Sequence, residues 1–189
     1  MGSLASCLAV GRIVMTMVAM SDILVGITAW TEPTLIKSGR FYPAWAHSAE
    51  ARLKYYASQF SVVEVDSTYY ALPNEKTGRL WVERTPDDFT FDIKAFRLFT
   101  QHQTAPAALD KDIRQAVPSE IKDKKSLYYR DMPRELVDEL WRRFEQALLP
   151  LDSAGKLGVV LFQFPPWFLP GDEQREHIIS SRRSCPSTA

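Results

Sequence analysis

Residues 61–70 read SVVEVDSTYY, and the alternation within them decides how the rest of the chain is read. Successive side chains of a strand point to opposite faces. Val63 and Val65 therefore share one face, and Glu64 and Asp66 share the other. A strand with one apolar and one charged face belongs in a sheet covered on one side by helices.

Working outward, the same pattern recurs. In FTFDIKAF, residues 89–96, Phe91 and Ile93 oppose Asp92 and Lys94. In KLGVVLFQF, residues 156–164, Val160, Phe162 and Phe164 oppose Val159, Leu161 and Gln163. ILVGITA, residues 23–29, is a β-branched run read as the first strand, with Gly26, Thr28 and Trp30 of one parity. Between these strands lie helical patterns. SAEARLKYYASQF at 48–60 has Ser48 as N-cap and Leu53, Tyr56, Ala57 and Phe60 along one face. NEKTGRLWVERT at 74–85 reads as a shorter helix weakened by Gly78. RELVDELWRRFEQALLPLDSAG at 134–155 reads as the longest, opened by Pro133 and closed by Gly155. GDEQREHII at 171–179 starts another. Residues 30–47 and 97–131 read as long connections. The order is βα four times over, which predicts a parallel sheet with crossover helices. No internal repeat and no linker divides the body.

The whole chain has 189 residues, with 23 basic and 23 acidic side chains, 46% hydrophobic and 24% charged residues. That balance excludes a disordered chain and disfavours a basic nucleic-acid binder. Cys7 and Cys185 sit at opposite ends, which predicts no disulfide framework and a reducing, cytoplasmic compartment. No apolar run reaches the roughly 18 residues of a membrane helix, so no membrane partner is expected. Residues 1–20 lack the order of a secretory signal and read as an extension ahead of a start near Met20, with a signal or transit segment as the alternative. Residues 21–179 form one domain, and 180–189 read as a disordered or spurious tail.

Polar groups near the C-terminal ends of parallel strands mark a candidate site. Glu64 and Asp66, about 6.5–7 Å apart if both lie on one strand, suit an acid/base pair. Lys94 would anchor a phosphate or carboxylate, or form a Schiff base if desolvated. Thr28, Trp30, Ser67, Tyr69, Tyr70, Arg97 and Gln163 are the candidate substrate-binding residues. The competing structural reading is a charged layer satisfied by Lys94 paired to Glu64 or Asp92. His47, His102 and His177 lack metal-ligand spacing, and no metal or cofactor is implied. KDKK at 122–125, near Arg114 and Arg130 in sequence, reads as a solvated face but keeps phosphate or RNA binding open.

VGITAW (25–30), FYPAW (41–45), VEVDSTYYALP (63–73), FDIKAFRLFTQH (91–102) and LGVVLFQFPP (157–166) together resemble the domain of unknown function family 72, the YecE-like proteins. The likeness runs along roughly residues 22–178. It implies a TIM-type (β/α) barrel, of which this chain would hold the first four or so βα units. By position it carries over Glu64, Asp66, Ser67, Tyr69, Tyr70, Lys94, Arg97, Gln163 and Pro165. Many members have Asn in place of Asp66, and adjacent Thr-His where this chain has Thr100-Gln101-His102, so the resemblance assigns His102 no role. A closed barrel needs about 250 residues, and the pattern fades after Ile179. The chain thus resembles a C-terminally truncated member whose open sheet edges would favour a dimer. Three functions stay open: a hydrolase or lyase acting on a small polar, sugar-like or phosphorylated molecule; a non-catalytic phosphate- or RNA-binding module; and an inactive remnant.

Overall fold

The computed structural model describes residues 23–183. The readings made for residues 1–20, for Cys7 and Cys185, and for the last residues of the tail lie outside these.

The chain builds a parallel three-stranded sheet, in the order β1 (Val62–Val65), β2 (Thr90–Lys94), β3 (Leu157–Leu161). Among the described residues eight α-helices accompany it: α1 (Pro33–Lys37), α2 (Ala49–Ala57), α3 (Ser67–Tyr70), α4 (Glu75–Glu83), α5 (Lys111–Ala116), α6 (Ser119–Lys122), α7 (Arg134–Ser153) and α8 (Asp172–Arg183). The class is therefore α/β with crossover helices. The expected first strand, over residues 23–29, is reduced to a parallel bridge of Thr28 with Glu64. Its hydrogen bonds run from Ala29 N–H to the Glu64 carbonyl (2.9 Å) and from Glu64 N–H to the Ile27 carbonyl (3.3 Å). The run ends there because Ala29 takes a positive φ of 61° and leaves the extended conformation.

Local chemistry starts the helices, at Ser48 as the sequence suggests and at Asn74 as well. The Ser48 hydroxyl accepts from Ala51 N–H at 3.0 Å, and the Asn74 side chain accepts from Thr77 N–H at 2.9 Å. Pro133 precedes the 20-residue α7, and Gly155, at φ 66°, follows its end. The 97–131 connection is more ordered than a loop. It carries α5, α6, two 3₁₀ turns and an antiparallel bridge between Thr104 and Leu127. Helix α8 runs on to Arg183, beyond Ile179, and Ser181 is buried.

One apolar layer lies between the sheet and its helices. Val63, Val65, Phe91 and Ile93 are buried from the strands, and Leu53, Tyr56, Trp81, Leu140, Phe144, Leu148 and Leu151 from the helices. The alternation in β1 and β2 predicts this layer. On the other face of β3, Val159 stays 60% exposed and Leu161 is exposed too.

Candidate functional site

The C-terminal end of β1 is set by Asp66, which already has helical φ and ψ of −74° and −24° and is the N-cap of α3. The strand therefore stops at Val65, and Asp66 opens the helical turn that follows. Asp66 makes no capping bond and instead accepts from Lys94 Nζ at 2.7 Å. Thr68, buried, ties the arrangement down: its hydroxyl lies 2.7 Å from the Val65 carbonyl and 2.6 Å from the Lys94 carbonyl. Arg97 N–H donates to the Tyr69 carbonyl at 3.0 Å. One turn of helix is thus fastened across the ends of β1 and β2.

That turn presents the Tyr69 ring to two cations. Lys94 Nζ lies 5.1 Å and the Arg97 guanidinium carbon 5.2 Å from its centroid. Lys94 is paired with Asp66. Arg97 has no carboxylate partner among the described residues, and its buried Nε has no hydrogen-bond partner. Burial opposes the charge on Lys94. The hydrogen bond and charge of Asp66, aided by Glu64 and Tyr70, outweigh it and hold the pKa above the ordinary lysine value. Lys94 is a fixed cation, and the paired layer expected for it uses Asp66, not Glu64 or Asp92. Asp92 does other work: its Oδ1 accepts from Val159 N–H at 2.9 Å, where the β2–β3 register is irregular.

His102 completes the cluster. Its ring lies edge-on to Tyr69 at 5.3 Å and to Trp167 at 6.1 Å, and its Nδ1 is 2.9 Å from the Thr100 hydroxyl. Burial first, then the charges of Arg97 and Lys94, push its pKa below the usual histidine value, so it is neutral at pH 7. The residue between Thr100 and His102 does not disrupt the turn. Gln101 takes φ 65°, its N–H donates to the Leu98 carbonyl (3.1 Å), and His102 N–H donates to the Arg97 carbonyl (3.0 Å). Residue spacing carries no sign of this, because one left-handed residue absorbs the extra position.

The structure thus brings Asp66, Tyr69, Tyr70, Lys94 and Arg97 together, with Glu64 near enough to act on Lys94 by charge. Thr28 is exposed beside Glu64 as its bridge partner. Ser67 and Gln163 are exposed and take no part in the hydrogen bonds or ring contacts of the cluster. Trp30 is misplaced by the parity argument. The turn at Ala29 sends it into the apolar layer, 9% exposed, against Trp81 and Phe91. His102 and Thr68 are members of the cluster that strand parity and motif position do not reveal. Among the described residues no three His, Cys, Asp or Glu side chains are grouped to hold a metal.

The profile of DUF72, described as a protein of unknown function, matches residues 24–187. The chain belongs to the DUF72 family. It is 32% identical over 156 residues to the UPF0759 protein YunF of Bacillus subtilis, covering 82% of this chain and 43% of that protein. It is 28% identical over 160 residues to the UPF0759 protein YecE of Escherichia coli K12, covering 81% and 53%. This DUF72 chain spans about half the length of the curated relatives it matches. Two solved DUF72 structures share its fold. That of Thermotoga maritima has a TM-score of 0.56 and 24% identity, covering 87% of this chain and 52% of that one. That of Enterococcus faecalis has a TM-score of 0.55 and 21% identity, covering 85% and 46%. Among the described residues no helix is long and apolar enough to cross a membrane.

Proposed function

We propose that the sheet is an arc of a TIM-type barrel, and that its C-terminal strand ends form the active site of a cytoplasmic hydrolase or lyase. Its substrate is a small polar molecule bearing a phosphate or carboxylate. The observation that carries this reading is the pair of cations on Tyr69, of which only Lys94 has a carboxylate partner among the described residues. Arg97 then takes the substrate anion, with a fork that matches two oxygens. Lys94, held charged by Asp66, supports it, and a permanently charged lysine favours anchoring over Schiff-base chemistry. Glu64 serves as the acid/base. His102, beside both cations and held neutral by burial and their charge, is a second group able to accept a proton there.

The RNA-binding alternative has less support. Lys124 of the KDKK stretch is spent on Asp131 at 3.1 Å, and the chain carries no positive excess. The test is a panel of phosphomonoesters and small hydroxy- and keto-acids, assayed with the 189-residue chain, E64Q, K94A and R97A. E64Q is expected to lower kcat by about 100-fold or more. R97A is expected to raise KM. Turnover unchanged in all three variants would overturn the assignment. A chain that never unfolds cooperatively would point to the inactive remnant instead.

A further inference from the structure

A cavity lies beside this cluster, with Trp167 in its wall. It has a volume of about 390 Å³, within the range of small-molecule sites. Trp167 and Phe168 line one part, Tyr128 and Tyr129 another, and Glu173 and Gln101 supply polar edges. Trp167 is 63% exposed, and its ring is the one that meets His102 at 6.1 Å. Gln101 and His102 are consecutive, and the positive φ at Gln101 accompanies their division between the two places: His102 meets Tyr69, while Gln101 lines the cavity. The anion cluster and the cavity thus lie on either side of Trp167 and this dipeptide.

The chemistry of the lining selects a class of occupant. His177 is not free to act as a ligand. Its Nε2 is 2.7 Å from the Phe99 carbonyl, and its Nδ1 is 3.3 Å from Gln101 Nε2. Burial lowers its pKa despite the Phe99 carbonyl and Glu173, so it is a neutral floor, with Nε2–H donating to Phe99 and Nδ1 accepting from Gln101. That leaves the Gln101 amide oxygen and the Glu173 carboxylate as acceptors beside several aromatic rings. The lining sets these rings beside Gln101, Glu173 and Gln174, and aromatic walls with acceptors at their edge suit a planar ring that stacks and donates hydrogen bonds there. Arg130, its guanidinium carbon 5.8 Å from the Tyr128 ring, adds a cation at the rim.

We infer that this cavity is the base pocket of a nucleotide site, with an aminated nucleobase stacked on Trp167 and its phosphate reaching toward Arg97 and Lys94. The inference rests on the anion-binding reading of Arg97 and Lys94 and names the substrate class for that site.

Calorimetric titration of the 189-residue chain with AMP, adenosine, ribose 5-phosphate and inorganic phosphate tests it. Wild type, W167A and R97A are compared, with far-UV CD confirming that each variant is folded. AMP is expected to bind at least tenfold more tightly than adenosine or phosphate alone. W167A should weaken AMP and adenosine tenfold or more and leave phosphate unchanged. R97A should weaken AMP and phosphate and leave adenosine unchanged. Ribose 5-phosphate binding as tightly as AMP, or AMP binding indifferent to W167A, would overturn the base pocket. If R97A still weakens phosphate in that case, the anion site stands without it. Binding of none of the four would overturn both.

Discussion

Lys156 is 3% exposed, yet its ammonium is fully employed. It donates to the carbonyls of Val82 (3.0 Å) and Thr85 (2.8 Å) and to the Thr85 hydroxyl (3.2 Å). These acceptors lie at the C-terminal end of α4, where helix carbonyls lack partners and the dipole favours a cation. Lys156→Met keeps most of the volume but takes the ammonium donor from those oxygens, the Thr85 carbonyl above all, and should cost about 2–4 kcal/mol. Urea denaturation checks this, and a midpoint unchanged from wild type would remove the capping role. His177 gives a second prediction at this scale. Burial lowers its folded pKa below the ordinary value of 6.5. As pH falls through about 6.5, the unfolded chain gains a proton that the folded chain refuses. Its contribution is therefore present above that pH and is lost as pH falls toward the folded pKa. Denaturation midpoints measured from pH 7.5 to 5.5 should decline for wild type and decline less for H177Q. Equal slopes would show that another group is responsible.

Between elements, α4 and α7 meet at close range around Gly78. A Cβ there would clash with the Ala147 carbonyl oxygen and sit 3.4 Å from Pro150 Cγ. Intrinsic propensity alone makes this glycine a weak point of its helix. Packing reverses that expectation, since the missing side chain lets the two helices meet backbone to backbone. Gly78→Ala should therefore destabilise by about 1–3 kcal/mol despite the better helix propensity of alanine. A thermal midpoint equal to or above wild type would refute the close contact. One turn earlier along α7, Arg143 pairs with Asp110 at 2.8 Å and Glu139 at 2.8 Å, and also with Asp112. It holds Asp112 down to a pKa of about 2 and fastens α5 to the long helix. This is how part of the 97–131 connection becomes ordered.

For the molecule as a whole, one contiguous apolar cluster runs from Leu53 through the strands to Leu151. A single core of this kind should unfold in one step. Tryptophan fluorescence and far-UV CD are expected to give coincident urea transitions, and separated transitions would show that the parts fold independently. Among the described residues no further strand joins the outer edge of β3, beside which Val159 and Leu161 are exposed. An open edge of this kind invites a second copy. If copies pair there, the midpoint should rise with protein concentration, and Leu161→Lys should abolish the rise. A midpoint independent of concentration would exclude pairing.

Side-chain periodicity determined the class, the register of apolar and polar faces in β1 and β2 and the long amphipathic α7, and residue type determined the cap at Ser48. These are local consequences of backbone geometry, and the chain carries them in adjacent residues. Motif order was enough to point to the family. The site was legible only in part. Lys94, Asp66, Tyr69 and Arg97 could be named, but their pairing could not, because it depends on Asp66 leaving the strand and turning toward β2. Two non-glycine residues at positive φ, Ala29 and Gln101, decided the rest. The first carries Trp30 out of the expected site into the core, and the second delivers His102 to Tyr69. Such conformations cost energy locally and are held by contacts made elsewhere in the fold, so only the tertiary structure could reveal them.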